Sequence, residues 1–427
     1  TWQTNYKSMF SEKTSKAIDL IWKSFDREKI RAGYQLINEA VNEDDADAIC
    51  LLGRCHLGSD YVWEEAGFEE DPEKAAKLIK ESVLKGSAIG VLTAMRCGEL
   101  TPGVKRKMPF ASERDAFAEV LCEAQHGNGF CLFMIGNALF WGDYLIFEPE
   151  AAKQFKSVEE YNAFAYPLAA NYFEHAFDDG ILYGFGNFRT IYESDHSNIS
   201  EHAYEAYFKH VADGGNPLVC NDYGKYLQDE YEDCEEEAFS YYKKAVEFGD
   251  LKSAYNVAVS YATGMGVEED LDKAFEYYTI AAEAGWVSAQ FQLGNFYFTG
   301  RGNVARDYAK AFKWLNEAYL NADEDERWRP AAELAILYQD GLGTIQDDEM
   351  AFAHLAEIEN ILDEIWEPLD AMVLNALGVA YAFGRGTEPD IKKGIEYFDR
   401  AIEYGSEEAV AHKAKFKKSI FGSWSER

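Results

Sequence analysis

Apolar residues along this chain recur at the i, i+3, i+4 spacing of one helix face, in short stretches separated by glycine-bearing breaks. Self-similarity is the stronger signal. Ser253 to Gly285 lies over Ala289 to Ala322 at a shift of 36, residue 253 onto residue 289. The shared frame is a small residue, Leu-Gly or a substitute, Tyr three on, Gly three further, an acidic turn, Lys-Ala, two aromatics and an alanine-rich end. It returns with Leu334-Ala335, Tyr338, Gly341 and Gly343, and with Leu377-Gly378, Tyr381, Gly384 and Gly386. Weaker copies carry Leu52-Gly53, Ile135-Gly136, Phe188-Arg189 and Tyr223-Gly224, with a fainter one between Gly90 and Gly98. About nine units result.

Each unit reads as two helices. The small residue after the leucine lets the second helix approach closely, and the Gly-x-Gly pair ends the first helix where positive φ is free of cost. Asp270, Asp307 and Asp390 cap second helices, and Gly249, Gly285 and Gly405 stop them. No single pair can bury its own apolar stripe, so the pairs must stack. The expectation is an all-α solenoid of about nine helix pairs, with capping helices over Thr14 to Phe25 and Ser406 to Phe421. The chain divides into N-terminal capping helices (1–45), divergent repeats (46–249) with an insertion near 143–166, well-matched repeats (250–405), and a C-terminal cap and tail (406–427).

The frame resembles the Sel-one-like repeat family, relatives of the tetratricopeptide repeats. The resemblance is carried by A-x-x-x-L-G-x-x-Y-x-x-G-x-G, then KA, paired aromatics and AA-x-x-G, from Asp250 to Ala322, Asp370 to Gly405 and Ala46 to Gly58. It implies a right-handed αα superhelix, use as a protein-binding scaffold or adaptor, and no shared catalytic residues. Some secreted members carry two regularly spaced cysteines per repeat, a pattern missing here.

Composition narrows the partners. With 41 basic and 76 acidic residues the formal charge is -35, which repels duplex nucleic acid and anionic membranes. A 47% hydrophobic content gives ample core. The seven cysteines (Cys50, Cys55, Cys97, Cys122, Cys131, Cys220, Cys234) include no CxxC pair, which suits reduced, mostly core thiols and a cytoplasmic location. Thr1 to Asp19 lacks the layout of a signal peptide, and the most apolar stretch, Phe130 to Gly142, is short of the roughly 20 residues that span a membrane.

Counting from Gly294 as zero, helix geometry places positions -5, -1, 0 and +3 on the packed side and -2 and +1 on the opposite, concave side. Position -2 then reads Asn187, Asp222, Asn256, Gln292 and Glu333, and +1 includes Arg54, Asn137, Lys225 and Asn295. Such amides can donate to and accept from the backbone of an extended peptide. Ordinary solvated helix positions are the alternative. Phe130, Met134 and Trp141 break the polar ladder with an apolar patch, to be covered by a partner or by the chain's own insertion. The -2 series is expected exposed, with Tyr261, Tyr297, Tyr338 and Tyr381 buried behind it.

Catalytic patterns are weak. Ser240 to Lys243 and Ser82 to Lys85 are isolated Ser-x-x-Lys matches. His196, His202 and His210 lack metal-ligand spacing, and the acidic run from Asp229 to Glu237 lacks a calcium-loop order. Lys105-Arg106-Lys107 reads as a solvated basic triplet and Asn198-Ile199-Ser200 as a sequon relevant only in a secretory setting. The reading is a monomeric, non-enzymatic scaffold binding a protein or peptide, with no cofactor, metal, nucleic acid or membrane. Two alternatives stay open: an acidic immunity-type protein neutralising a basic toxin or nucleic-acid enzyme, and a hydrolase hidden in the insertions.

Overall fold

The computed structural model describes residues 8–58, 68–360, 371–418 and 424–426. These form two compact units, Thr1–Asp250 and Leu251–Arg427. Among the described residues both are built from antiparallel helix pairs, with strands only at the C-terminal end.

In the first unit the pairs are α1 (Glu12–Trp22) with α2 (Arg27–Asn42), α3 (Ala46–Cys55) with α4 (Pro72–Leu84), and α5 (Ala88–Arg96) with α7 (Glu113–Gln125), the last interrupted by the one-turn α6 (Pro102–Lys105). Then come α8 (Gly129–Phe140) with α11 (Val158–Asp178), α12 (Phe185–Tyr192) with α13 (Glu201–Asp213), and α14 (Pro217–Glu230) with α15 (Glu235–Glu247). Two single turns, α9 (Tyr144–Phe147) and α10 (Pro149–Ala152), occupy the insertion after α8. The second unit pairs α16 (Ala254–Thr263) with α17 (Leu271–Glu283), α18 (Val287–Thr299) with α19 (Tyr308–Asn321), α20 (Trp328–Asp340) with α21 (Asp348–Asn360), and α22 (Ala371–Phe383) with α23 (Ile391–Glu403). Counting from α3, the described residues hold the nine expected pairs, with α1 and α2 as a further pair in front.

The repeat frame has a local cause. The Gly after the leucine is where the second helix lands: a Cβ on Gly53 would meet Ile79 at 2.9 Å, and one on Gly294 would meet Leu315 at 2.7 Å. The tyrosine three residues later fixes the loop through its carbonyl. Tyr261, Tyr297, Tyr338 and Tyr381 accept from the backbone N–H of Asp270, Asp307, Asp347 and Asp390 at 2.8–3.0 Å. Asp270, Asp307 and Asp390 then accept from the N–H three residues on, at 3.0–3.1 Å, and start the second helix. One backbone bond and one cap thus set the return angle in successive units.

Two departures from the expectation appear at the ends. α24 (Glu407–Lys413) stops early, and Phe416–Lys418 forms a strand antiparallel to Trp424–Glu426 in place of a helix reaching Phe421, a position outside the described residues. The cause is the local alternation of Lys415, Phe416 and Lys417, a period of two that buries Phe416 against Phe383 with centroids 5.1 Å apart. At the other end the first pair touches more than its neighbour. Trp22 packs edge-on against Phe130 at 5.0 Å, its carbonyl accepts from Leu182 N–H at 3.2 Å, and Phe25 stacks on Tyr183 at 5.0 Å. These contacts join the first pair to the fourth, across two intervening pairs.

The seven cysteines form no disulfide; Cys50, Cys55, Cys131 and Cys220 are buried, Cys97 and Cys234 half-buried and Cys122 exposed. Burial pushes the Cys50 thiol up to about 12.

Charge is crowded where α3 meets α5 and α7. Burial pushes the Asp47 carboxyl up to about 7; the Ser87 hydroxyl, donating at 2.7 Å, pulls the other way, and Asp45, Glu119 and Glu123 add repulsion. A carboxyl with a raised folded-state pKa binds more protons folded than unfolded, so its contribution to stability falls as pH rises from about 4 to about 7. Asp47→Asn should therefore raise stability at pH 8, by about 1–2 kcal/mol, and flatten that slope. Urea titrations at pH 5 and pH 8 measure it. A loss of stability at pH 8 would show that the carboxylate is a net stabiliser.

Candidate functional site

The first helices α3, α5, α8, α12 and α14 line a groove of about 620 Å³ in the first unit. Its polar wall combines Arg54, Thr93, Arg96, Asn137, Asp143, Asn187, Arg189 and Asp222. Its apolar wall includes Phe133, Met134, Trp141, Phe147 and Leu218. Asn187 Nδ2 donates to Asn137 Oδ1 at 2.8 Å, linking the -2 position of α12 to the +1 position of α8. Arg189 Nη1 donates to Asp222 Oδ2 at 2.8 Å. Arg54, 5% exposed on the groove floor, donates from Nη1 to Thr93 Oγ1 at 3.2 Å. Arg96 lies over the Trp141 ring at 4.4 Å, with Nη1 3.8 Å from Asp143 Oδ1. Burial raises the Asp143 carboxyl above its usual range, and Arg96 opposes that rise.

Of the residues expected on the concave side or in its apolar patch, the groove brings together Arg54, Asn137, Asn187, Asp222, Trp141 and Met134, the last of them buried. Lys225 is exposed on α14 outside the lining residues. Asn256, Gln292, Asn295 and Glu333 belong to the second unit, on α16, α18 and α20, and are half-buried. Position -2 as a whole is half-buried, less open than expected, because neighbouring first helices approach closely enough for side chains such as Asn187 and Asn137 to bond each other. Tyr261 and Tyr381 are buried, whereas Tyr297 and Tyr338 are half-buried.

Phe130 requires correction. It is 1% exposed and packed against Trp22, Phe10 and Phe133, because the first helix pair covers it. It serves the groove from beneath, with the Arg54 guanidinium 5.5 Å from its ring centroid. The insertion leaves Trp141 51% exposed. Its aromatics go elsewhere: Phe147 stacks on Phe117 at 5.0 Å, Tyr144 meets Phe117 and Phe164, and Tyr166 stacks on Phe140 at 5.4 Å. α11 begins at Val158, earlier than the limit of 166 drawn from the sequence.

Arg96, Arg189 and Asp143 join the groove from outside the -2 and +1 positions. A signal for the arginines exists. Arg54, Arg96 and Arg189 fall in the last turns of α3, α5 and α12, where the helix dipole favours a cation.

A second cleft, about 640 Å³, lies along α13 and α14 beside the acidic run and includes His202, Glu205, Lys209, Tyr226, Tyr231 and Glu237. Its polar groups largely serve one another. Glu205 accepts from the Tyr226 and Tyr231 hydroxyls at 2.7 and 3.0 Å, and Lys209 donates to Tyr241 Oη at 2.7 Å with Asp213 and Glu237 within 3.6 Å. The serines, histidines and basic triplet with candidate chemistry are engaged separately. Ser240 and Ser82 donate to the carbonyls of Glu237 and Ile79, His196 meets Glu159, His210 meets the Phe177 carbonyl, and Lys105 pairs with Glu113. Among the described residues no group of three His, Cys, Asp or Glu side chains is placed to hold a metal ion, and no helix is long and apolar enough to cross a membrane.

Stacked helix pairs with a groove lined by first helices define a helical-repeat protein. Residues 46–87, 219–250, 251–286, 287–323, 331–357 and 371–406 match the family model for the Sel1 repeat. The chain is a Sel1 repeat protein. Among solved structures, a Sel1 repeat protein from Oxalobacter formigenes is 24% identical over 50% of this chain and 82% of its own, with a TM-score of 0.38. A protective antigen present in uropathogenic Escherichia coli strains, displaying an SLR fold, is 20% identical over 91% of this chain and 82% of its own, with a TM-score of 0.46. An immunity protein from Pseudomonas aeruginosa is 20% identical over 45% of this chain and 67% of its own, with a TM-score of 0.26. No curated protein matches the sequence.

Proposed function

We propose that this chain is a non-enzymatic, cytoplasmic binding scaffold that takes an extended segment of a partner protein in the groove of its first unit, acting as a monomer and without a cofactor. The supporting observation is Trp141, half exposed on the groove wall beside the Asn137–Asn187 amide pair. A large ring half open to solvent suits an interface anchor, and side-chain amides suit a peptide backbone. In this reading the divergent repeats (46–249) recognise the partner and the regular repeats (250–405) extend the scaffold.

A random twelve-residue peptide library displayed on phage, panned on the full chain, tests this. Peptides that bind should lose about 10-fold or more in affinity, a hot-spot loss, on Trp141→Ala, and a smaller factor on Asn137→Ala with Asn187→Ala, while circular dichroism stays unchanged. Peptides indifferent to these substitutions would move the site elsewhere. The alternative of an acidic protein neutralising a basic partner rests on the charge of -35. It predicts selection of lysine- and arginine-rich peptides whose binding weakens steeply with salt and ignores Trp141.

A further inference from the structure

We infer that the groove is built for an anionic segment, an extended stretch of partner carrying aspartate or glutamate beside an aliphatic or aromatic residue. The inference rests on the groove reading above and specifies its ligand. The first observation is a local reversal of charge. Over the whole chain acids outnumber bases 76 to 41. The charged residues lining the groove are Arg54, Arg96 and Arg189 against Asp143 and Asp222, three against two.

The second observation is how the arginines are held. Arg54 lies over Phe130 at 5.5 Å, Arg96 over Trp141 at 4.4 Å, and Arg189 over Phe208 at 5.0 Å and Phe185 at 5.4 Å. A ring 4.4–5.5 Å from each guanidinium attracts the cation and restricts its motion, so the charge is held in place for a carboxylate. Little side-chain entropy remains to be lost on binding.

The third observation concerns the resident acids. Arg96 and Asp143 are 3.8 Å apart, a loose pairing, and Asp143 is a half-buried carboxyl whose charge is disfavoured by burial. A better-placed ligand carboxylate can take its position on Arg96. Arg189 donates from Nη1 to Asp222 and also hydrogen-bonds Tyr204, so a ligand carboxylate would share this cation with them. The apolar share of the ligand has its own surface, since Trp141 is 51% and Leu218 55% exposed at the groove.

The test uses the same displayed library, joined to the phage through its C-terminal end so that only side-chain carboxylates are offered. Clones that bind the full chain and are lost on Trp141→Ala are sequenced. Aspartate and glutamate should be enriched about twofold or more over the starting library, next to an apolar residue, and lysine and arginine depleted. Synthetic versions should bind about 10-fold more weakly to Arg96→Gln and to Arg189→Gln, and about threefold more tightly to Asp143→Asn, a gain that misfolding cannot produce. Trp141-dependent peptides that are neutral or basic, or that ignore Arg96→Gln and Arg189→Gln, would overturn the inference and leave the groove reading standing. An absence of Trp141-dependent peptides would overturn both.

Discussion

Gly386→Ala is expected to cost about 3 kcal/mol or more, an effect far beyond that of a surface loop residue. Gly386 is the second glycine of its Gly-x-Gly pair, with φ near 75°. Positive φ is one demand that the pair meets. The structure adds a second demand: a Cβ on Gly386 would run into the backbone carbonyl of Asp348 and the Phe352 side chain, at the start of the preceding unit's second helix, α21. Gly343 stands in the same relation to Tyr308 at the start of α19, and Gly302 to Leu271 at the start of α17. The second glycine is therefore where one helix pair seats on the pair before it. Gly405 supplies the control, with φ near 89° and no heavy atom within 4 Å of where a Cβ would sit. Gly405→Ala should carry the backbone strain only, about 1–2 kcal/mol. Urea unfolding compares the two, and hydrogen exchange should localise the Gly386→Ala damage to α21–α23. Equal losses in both variants would mean that the glycine serves the turn and not the docking of units.

The difference between what could and could not be read in advance follows the range of the interactions. Tyr261 and Asp270, or Tyr381 and Asp390, bond within one unit, so their spacing recurs along the chain and announces the fold. Gly53 and Gly294 recur for the same reason, since each faces the helix that follows it. Location on the groove wall was legible where it depends on the turn of the helix: Arg54, Asn137, Asn187, Asp222 and Met134 fall there by counting, whatever they bind. Phe130 was misplaced because helix periodicity shows which face a residue occupies and not what arrives to cover it. Trp22, 108 residues earlier by the difference of their numbers, does so. Arg96 lies in the faintest copy of the frame, with Thr93 standing where most other units have glycine or alanine. The C-terminal strand was hidden by lysines that satisfy a polar helix face and an edge strand equally well until Phe416 is seen to be buried.

Trp22→Ala should remove about 3–5 kcal/mol from the first unit and, unlike a change in an end repeat coupled only to its neighbour, should loosen helices far along the sequence. Trp22 has no solvent exposure. Its ring meets Phe130 of α8, its carbonyl holds Leu182 N–H, and the adjoining Lys23 pairs with Asp179 at 2.8 Å. In a stack with nearest-neighbour coupling alone, the loss would fray α1 and α2 and leave the rest protected. Here the contacts bridge from the first pair to the fourth, so amides of α8 and of the 181–192 segment should also exchange faster. Hydrogen exchange followed residue by residue separates the two outcomes. The same substitution reaches the groove. The Phe130 ring lies 5.5 Å from the Arg54 guanidinium, so freeing that ring should let Arg54 shift and weaken the Trp141-dependent peptides even under conditions where the unit stays folded. Protection lost only in α1 and α2, with peptide affinity intact, would show that the first pair is a passive cap; loss in α8 and α12 together with weakened peptide binding would show that it holds the recognition groove in register.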